Sequence, residues 1–292
     1  MKIGVFHPAP NETADPGVIA RHAEDLGFES YWVADHTVLP VTSSVSYPGL
    51  KEDGKEPEYL WQMPDPFISL ARAGAMTSQI NLGTGITLVP ERNAILAAKQ
   101  IASLDNACGG RFLFGIGAGW NPEESRILGG DFEHRWTQVK EHIAAMKVLW
   151  TQDPSEFHGK YLDFPPVRCF PKPARKPHPP VLLGSIQNDR ALRRVVQWGD
   201  GWVPIVWDAE ELASGVNKIR ELATEAGRDP ATIEISPFGF EGQWRDRATI
   251  DALEKAGANR VVIWLAAQDR DGLLKELDGV AKKLGVGATV SA

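Results

Sequence analysis

The stretch Asn93–Asn121, NAILAAKQIASLDNACGGRFLFGIGAGWN, carries the pattern that decides the fold. Its first part, about 93–107, spaces apolar residues as an amphipathic helix does. Its second part, Arg111-Phe112-Leu113-Phe114-Gly115-Ile116, is a nearly continuous apolar run, the mark of a strand covered on both faces in a parallel sheet. The run ends in a glycine-rich turn, Gly117-Ala118-Gly119-Trp120-Asn121.

The same alternation recurs in both directions along the chain. Further strands are expected at 2–6, 30–33, 80–84, 181–183, 201–205, 232–235 and 260–264, which brings the total to eight. Helical spacing falls near 15–27, 65–78, 134–151, 188–199, 208–227, 247–257 and 270–285. The first of these opens with Asp15 as N-cap and Pro16 in its first turn, and closes on Gly27. Strand followed by helix, eight times, favours an α/β protein built as a (β/α)8 TIM barrel, a single domain over 1–292, with a doubly wound open sheet as the structural competitor. Two segments rich in Pro, Gly and charge, 37–64 and 152–179, interrupt the rhythm and are expected as long loops or insertions. The first follows a strand's C-terminal end, where barrel enzymes build their sites, and suits a lid.

Composition narrows the function. Among 292 residues, 31 Lys plus Arg face 38 Asp plus Glu, a net charge of -7, which argues against a nucleic-acid partner and for a small-molecule one. With 43% apolar and 24% charged residues the chain can bury an ordinary core. Only Cys108 and Cys169 occur, too few for a disulfide framework, and the N-terminus lacks a secretory apolar run. No run approaches the roughly 18 apolar residues of a membrane span, so a cytoplasmic protein is expected. The seven histidines form no HxH or HExxH and no GxSxG occurs, which leaves metal sites and serine hydrolysis unsupported.

Four places can carry chemistry. Trp32-Val33-Ala34-Asp35-His36 ends a strand in an acid followed by an imidazole, either a loop-capping acid beside a solvated histidine or, at the C-terminal edge of a barrel strand, a proton-handling pair. Gly83 and Gly85 sit inside a β-run, where they serve either the close approach of a planar ring or the shaping of the barrel. The turn at 117–121 fails the dinucleotide fingerprint because Trp120 stands where the third glycine belongs, yet its backbone can still receive a ligand, with Asn121 offering an amide. Gly184-Ser185-Ile186 leads into a helix carrying Arg190, Arg193 and Arg194, either an anion seat or a plain helix start capped by Asn188. Ten tryptophans offer flat walls, and His7, Trp61, Trp120 and Trp202 are the expected substrate pocket.

Together, the Trp-Val-Ala-Asp-His strand end, Leu82-Gly83-Thr84-Gly85-Ile86, the stretch 93–121 and Gly199-Asp200-Gly201-Trp202 resemble the bacterial luciferase-like monooxygenase superfamily. Within it the chain is most similar to actinobacterial oxidoreductases that use the 8-hydroxy-5-deazaflavin coenzyme F-420. The resemblance implies a (β/α)8 barrel with the coenzyme at the C-terminal face and Asp35 and His36 as catalytic residues. It further implies a non-prolyl cis peptide at Gly85-Ile86, ring and ribityl contacts from Asp35, Ala118, Gly119 and Asn121, and a phosphate seat at Gly184, Ser185 and Ile186. The implied reaction is hydride transfer between the reduced coenzyme and a small organic substrate. The alternatives are an FMN-dependent monooxygenase served by a separate flavin reductase, and a barrel that binds flavin without turnover. A homodimer is implied as well. One departure stands out: deazaflavin-dependent sugar-phosphate dehydrogenases of this superfamily have a glutamate where this chain has Trp120, so proton traffic is expected to fall on His36 alone or on substrate-side groups.

Overall fold

The computed structural model describes residues 1–8, 10–48 and 56–287, so part of the expected lid, 49–55, lies outside the described residues. The chain begins with β1 (Lys2–Phe6), α1 (Pro10–Thr13), α2 (Pro16–Leu26) and β2 (Ser30–Val33). After α3 (Tyr59–Gln62) and α4 (Pro66–Met76) come β3 (Asn81–Thr84), β4 (Thr87–Leu88), α5 (Ala94–Ala107) and β5 (Phe112–Gly117). The middle holds α6 (Pro122–Ile127), α7 (Arg135–Thr151), β6 (Ser155–His158), β7 (Asp163–Val167), β8 (Val181–Gly184) and α8 (Asp189–Trp198). The last third holds β9 (Gly201–Val203), α9 (Ala209–Glu225), β10 (Glu234–Ile235), α10 (Arg247–Lys255), β11 (Arg260–Trp264) and α11 (Arg270–Leu284).

The main sheet is parallel and ordered β10-β9-β8-β5-β3-β2-β1-β11, with β4 continuing the β3 position against β5. Its two edges meet through Phe238, which bridges Ile205 on one side and Val262 on the other. The Gly239 N–H donates to the Val262 carbonyl at 3.1 Å and the Val262 N–H to that of Pro237 at 2.9 Å. The expected eight strand positions are all present, and they form a nearly closed barrel rather than an open sheet.

Alternation along each strand sorts side chains to two cores. Phe6, Trp32, Leu113, Leu182, Val203 and Val262 point inward with Phe238 and fill the lumen. Their neighbours Val5, Tyr31, Phe112, Phe114, Trp202 and Ile263 pack outward against the helices. Trp32 is the largest occupant of the lumen, and the strands beside it make room by lacking side chains: a Cβ on Gly83 would lie 2.2 Å from the Trp32 ring. Gly85 makes room in the same way for Phe238, whose ring would be 2.7 Å from a Cβ there. The strand glycines thus shape the barrel interior first.

Below Trp32, at the N-terminal end of the barrel, Arg260 is buried and closes the base. Its Nε and Nη2 donate to the two carboxylate oxygens of Glu29 at 2.6 and 2.8 Å, and Nη1 donates to Ser236 Oγ at 3.0 Å and to Glu234. The guanidinium also stacks on the Trp32 ring, 5.6 Å from its centroid. Burial opposes ionisation of Glu29, but the paired guanidinium outweighs it and holds the carboxyl below its usual range.

The segment 152–179, expected as a loop, contains the antiparallel hairpin β6–β7. Pro165 and Pro166 in its second strand mask it in the sequence, because proline is tolerated only at sheet edges and this two-stranded sheet is all edge. Glu141 of α7 holds the hairpin turn by accepting the N–H groups of Lys160 at 3.0 Å, Leu162 at 2.8 Å and Tyr161. No helix among the described residues is long and apolar enough to cross a membrane.

Replacing Gly83 by Ala forces a methyl group into the Trp32 ring inside a filled lumen. The expected loss is about 1–3 kcal/mol of stability, read as a lower midpoint of urea unfolding; an unchanged midpoint would show that the lumen is not tightly packed.

Candidate functional site

The C-terminal ends of β2, β4 and β5 converge on one group of polar side chains. Asp35, 3% exposed, follows β2. Its Oδ1 accepts from Arg92 Nη2 at 2.7 Å, and its Oδ2 from Arg92 Nε at 3.0 Å and the Leu88 N–H at 3.1 Å. Arg92 reaches on to Asp65 at 3.1 Å, which caps α4 by accepting the N–H groups of Phe67 and Ile68. Both oxygens of Asp35 are therefore engaged with N–H donors. Asp35, expected as a catalytic and coenzyme-contacting residue, ties the β2 end to the β4 end beside His36.

That neighbour is His36. Its Nδ1 lies 2.6 Å from Glu124 Oε2, and its Nε2 faces the indole N–H of Trp120 at 3.2 Å. An indole nitrogen only donates, so Nε2 must accept, which places the imidazole proton on Nδ1, directed at the carboxylate. His36 is then a neutral imidazole with an oriented acceptor at Nε2, the arrangement of a general base backed by an acid. His36, on which proton traffic was expected to fall alone or with substrate-side groups, thus has a carboxyl, Glu124, standing behind it.

Glu124 is in place because of how α6 starts. Asn121, 1% exposed, accepts the N–H groups of Glu123 at 2.9 Å and Glu124 at 3.0 Å through its side-chain oxygen, and Pro122 opens the helix. Its amide nitrogen donates to Ser43 Oγ at 3.1 Å, which pins the segment after β2 across the end of β5. The amide expected to contact a ligand is thus occupied as a helix cap.

The other expected residues fall into two sets. The Gly85–Ile86 peptide is cis, as the resemblance implies. Ile86 fills the space that Gly117 and Gly184 leave open, where added Cβ atoms would lie 2.0 and 2.8 Å from its side chain. Gly85, Ile86, Ala118, Gly119 and Gly184 are therefore brought to one region, with Ile186 76% exposed beside them. Ser185 accepts from the Trp202 indole through both its carbonyl and its hydroxyl, each at 3.2 Å. Trp202 itself is completely buried in the core between sheet and helices, with Gly215 of α9 against its ring. It supports the Ser185 turn and does not line a pocket, which corrects the expectation. Trp61 is 54% exposed on α3.

His7 ends β1 and lines a cavity of about 560 Å³ with Tyr59, Gln62, Trp264, Ala266 and Gln268. The hydroxyls of Tyr59 and Tyr47 are 3.2 Å apart, and Tyr47 packs on Trp120 with ring centroids 5.6 Å apart. An aromatic wall thus runs from the cavity to His36. Burial pushes the His7 imidazole down to about 4, against the opposing pull of the Ala267 backbone and Glu276.

The members of this cluster that sequence reading missed are Arg92, Glu124, Ser43, Tyr47 and Tyr59. One signal was present: Asn121-Pro122-Glu123-Glu124 is a helix start with acids in its first turn. That Glu124 would meet His36, 88 residues earlier, had no local sign. No group of three His, Cys, Asp or Glu able to hold a metal ion occurs among the described residues.

Residues 1–268 match the family model for luciferase-like monooxygenases. An uncharacterized protein of Mycobacterium tuberculosis (strain ATCC 25618 / H37Rv) is 34% identical over 73% of this chain and 75% of its own length. The 5,10-methylenetetrahydromethanopterin reductase of Methanolobus tindarius is 25% identical over 93% of this chain and 74% of its own. The FMNH(2)-dependent dimethylsulfone monooxygenase of Pseudomonas putida is 36% identical over 45% of this chain and 37% of its own. Among solved structures, the coenzyme F420-dependent tetrahydromethanopterin reductase of Methanopyrus kandleri superposes with a TM-score of 0.76 at 19% identity, covering 97% of this chain and 98% of that one.

A histidine with a depressed pKa takes up its proton later in the folded state than in the unfolded one. The stability that neutral His7 confers is full above its ordinary pKa of 6.5 and is lost as the pH falls toward about 4. Between pH 7 and 5, wild type should lose stability relative to His7→Gln, at up to about 1.4 kcal/mol per pH unit. Urea midpoints at the two pH values test this, and parallel behaviour of the two proteins would contradict it.

Proposed function

The chain belongs to the luciferase-like monooxygenase family, whose members are enzymes, and from this premise we propose that it transfers a hydride between the reduced deazaflavin coenzyme F-420 and a small organic substrate. The observation that carries the reading is the His36–Glu124 pair with its oriented Nε2 at the barrel mouth. A hydride transfer to or from a carbonyl or activated double bond needs one matching proton, and this chain offers one well-placed group to handle it.

The residues fit an anionic coenzyme. Arg135 opens α7, Arg190 lies in the first turn of α8 and Arg194 one turn further along it, close enough that burial and then the other two guanidiniums push the Arg194 pKa down. The neighbouring Arg193 pairs with Glu225, and Arg135 donates to the Phe132 carbonyl at 2.8 Å and lies over the Phe132 ring. Arg194 is braced on the Trp136 ring, 4.8 Å from its centroid. Arg190 and Arg194, on the helix that follows the Gly184-Ser185-Ile186 turn, suit a phosphate followed by a carboxylate tail. Gly85, Ile86, Ala118 and Gly119 would hold the ring. When bound, the coenzyme supplies the hydride and the reaction's redox chemistry.

The protein's own part is proton handling, orientation and shielding. In the oxidation direction Nε2 of neutral His36 takes the substrate's hydroxyl proton, and Glu124 stabilises the imidazolium that forms. In the reduction direction the imidazolium returns that proton from Nε2 to the substrate oxygen. The substrate oxygen would take the place of the Trp120 indole N–H at Nε2. Tyr47 and Tyr59 wall the mouth against water.

Quenching of tryptophan fluorescence should show F-420 binding at micromolar concentration or tighter, with FMN much weaker. The reverse preference would make the chain an FMN-dependent monooxygenase that needs a separate reductase, and binding of neither would overturn the enzymatic reading. Replacing Arg190 and Arg194 together with Gln should weaken F-420 binding by about tenfold or more and flatten its salt dependence. His36→Ala should leave that affinity nearly unchanged and slow turnover roughly 10²–10⁴-fold.

A further inference from the structure

Behind Glu124 lies another carboxyl that the reaction scheme has not used. Glu91 ends the short turn Val89–Glu91 after β4 and is 5% exposed. Neither of its oxygens has a partner among the described residues, and the same is true of Oε1 of the completely buried Glu124. Glu91 Oε1 lies against Gly119, where a Cβ would be 2.7 Å away, so the turn after β5 is shaped around this carboxyl.

Two buried carboxyls with three unsatisfied oxygens between them are unstable as two anions, since each open lone pair and each unpaired charge carries a desolvation cost. A single proton placed on Glu91 removes one charge and makes one donor. The groups facing it settle which carboxyl keeps that proton. Glu124 already receives the His36 Nδ1–H, Asp35 is engaged by Arg92 through both of its oxygens, and His142 of α7 bonds to the Val89 carbonyl and is kept neutral by burial. Burial first, then the Glu124 and Asp35 charges, push Glu91 up to about 9 against the pull of Arg92.

We propose that Glu91 is a positioning residue that stays protonated at neutral pH and donates its O–H to Oε1 of Glu124. The Glu124 carboxylate is thereby fixed as the anion on His36 Nδ1, and Nε2 becomes the only atom through which His36 gains or loses a proton. The inference rests on His36 as the proton-handling residue of the proposed reaction, but it concerns the chain's own atoms and is testable without any coenzyme.

The experiment is nuclear magnetic resonance on the ¹⁵N- and ¹³C-labelled protein with nothing bound, with His36 assigned by its loss in His36→Gln. The expected result is a His36 ring in the Nδ1–H tautomer and a Glu91 carboxyl carbon with the shift of a protonated acid at pH 7, titrating near 9. Glu91→Leu, which lacks a donor, should lower the ratio of the Nδ1–H to the Nε2–H tautomer by about tenfold or more, the effect of one hydrogen bond to a charged group. Glu91→Gln, whose amide still donates, should retain the tautomer while the titration near 9 disappears. An ionised Glu91 at pH 7 in wild type overturns the proposal, and so does an unchanged tautomer ratio in Glu91→Leu. Should that variant not fold, the wild-type carboxyl titration decides alone. Neither readout depends on F-420 or FMN, so failure here and failure of the proposed function are separately visible.

Discussion

Filling the barrel lumen is the constraint on which the rest of this molecule depends. Parallel strands closed around an axis leave an interior that must be occupied by side chains, because an empty one forfeits the contacts that hold it together. Here one indole, Trp32, does most of the filling, and Gly83 gives it space. The Arg260 guanidinium stacks beneath it and is neutralised by Glu29 and Glu234. The base of the barrel is thus sealed by a charge network, and the open end is left for chemistry.

At that open end the same strands deliver charge instead of bulk. Trp32 points into the lumen, and three residues further along the chain Asp35 leaves the β2 end to meet Arg92. The bidentate pair links the ends of β2 and β4 and, through Asp65, the start of α4. His36 then hangs from a braced backbone, with its ring direction set by Glu124 on one side and Trp120 on the other. A buried charge pair of this sort contributes little net stability, since desolvation offsets attraction, but it fixes geometry. Fixed geometry is what the proposed proton transfer would require.

The strand and helix positions were legible because they rest on local periodicity and on caps made within a few residues. Asp15 accepts the N–H groups of Gly17 and Val18, and Gly27 adopts a left-handed φ of 90°, as the sequence suggests. The β6–β7 hairpin was hidden by its prolines. The site was half legible: the strand-end Asp35-His36, the glycine turns and the local cap at Asn121 were visible, whereas the engagement of Asp35 by Arg92 and Leu88, more than fifty residues later, exists only in the folded chain.

By itself, the sequence determined the eight-fold alternation, the parallel sheet it implies and the strand end at which a histidine stands, since these follow from short continuous apolar runs alternating with stretches of helical spacing. Only the tertiary structure decided that Gly83 serves Trp32 and that Trp202 belongs to the outer core. It also decided that the imidazole of His36 is backed by Glu124, 88 residues away. Side chains on one strand learn their partners when the barrel closes, because closure places separate strand ends within hydrogen-bonding distance and withdraws them from water at the same moment.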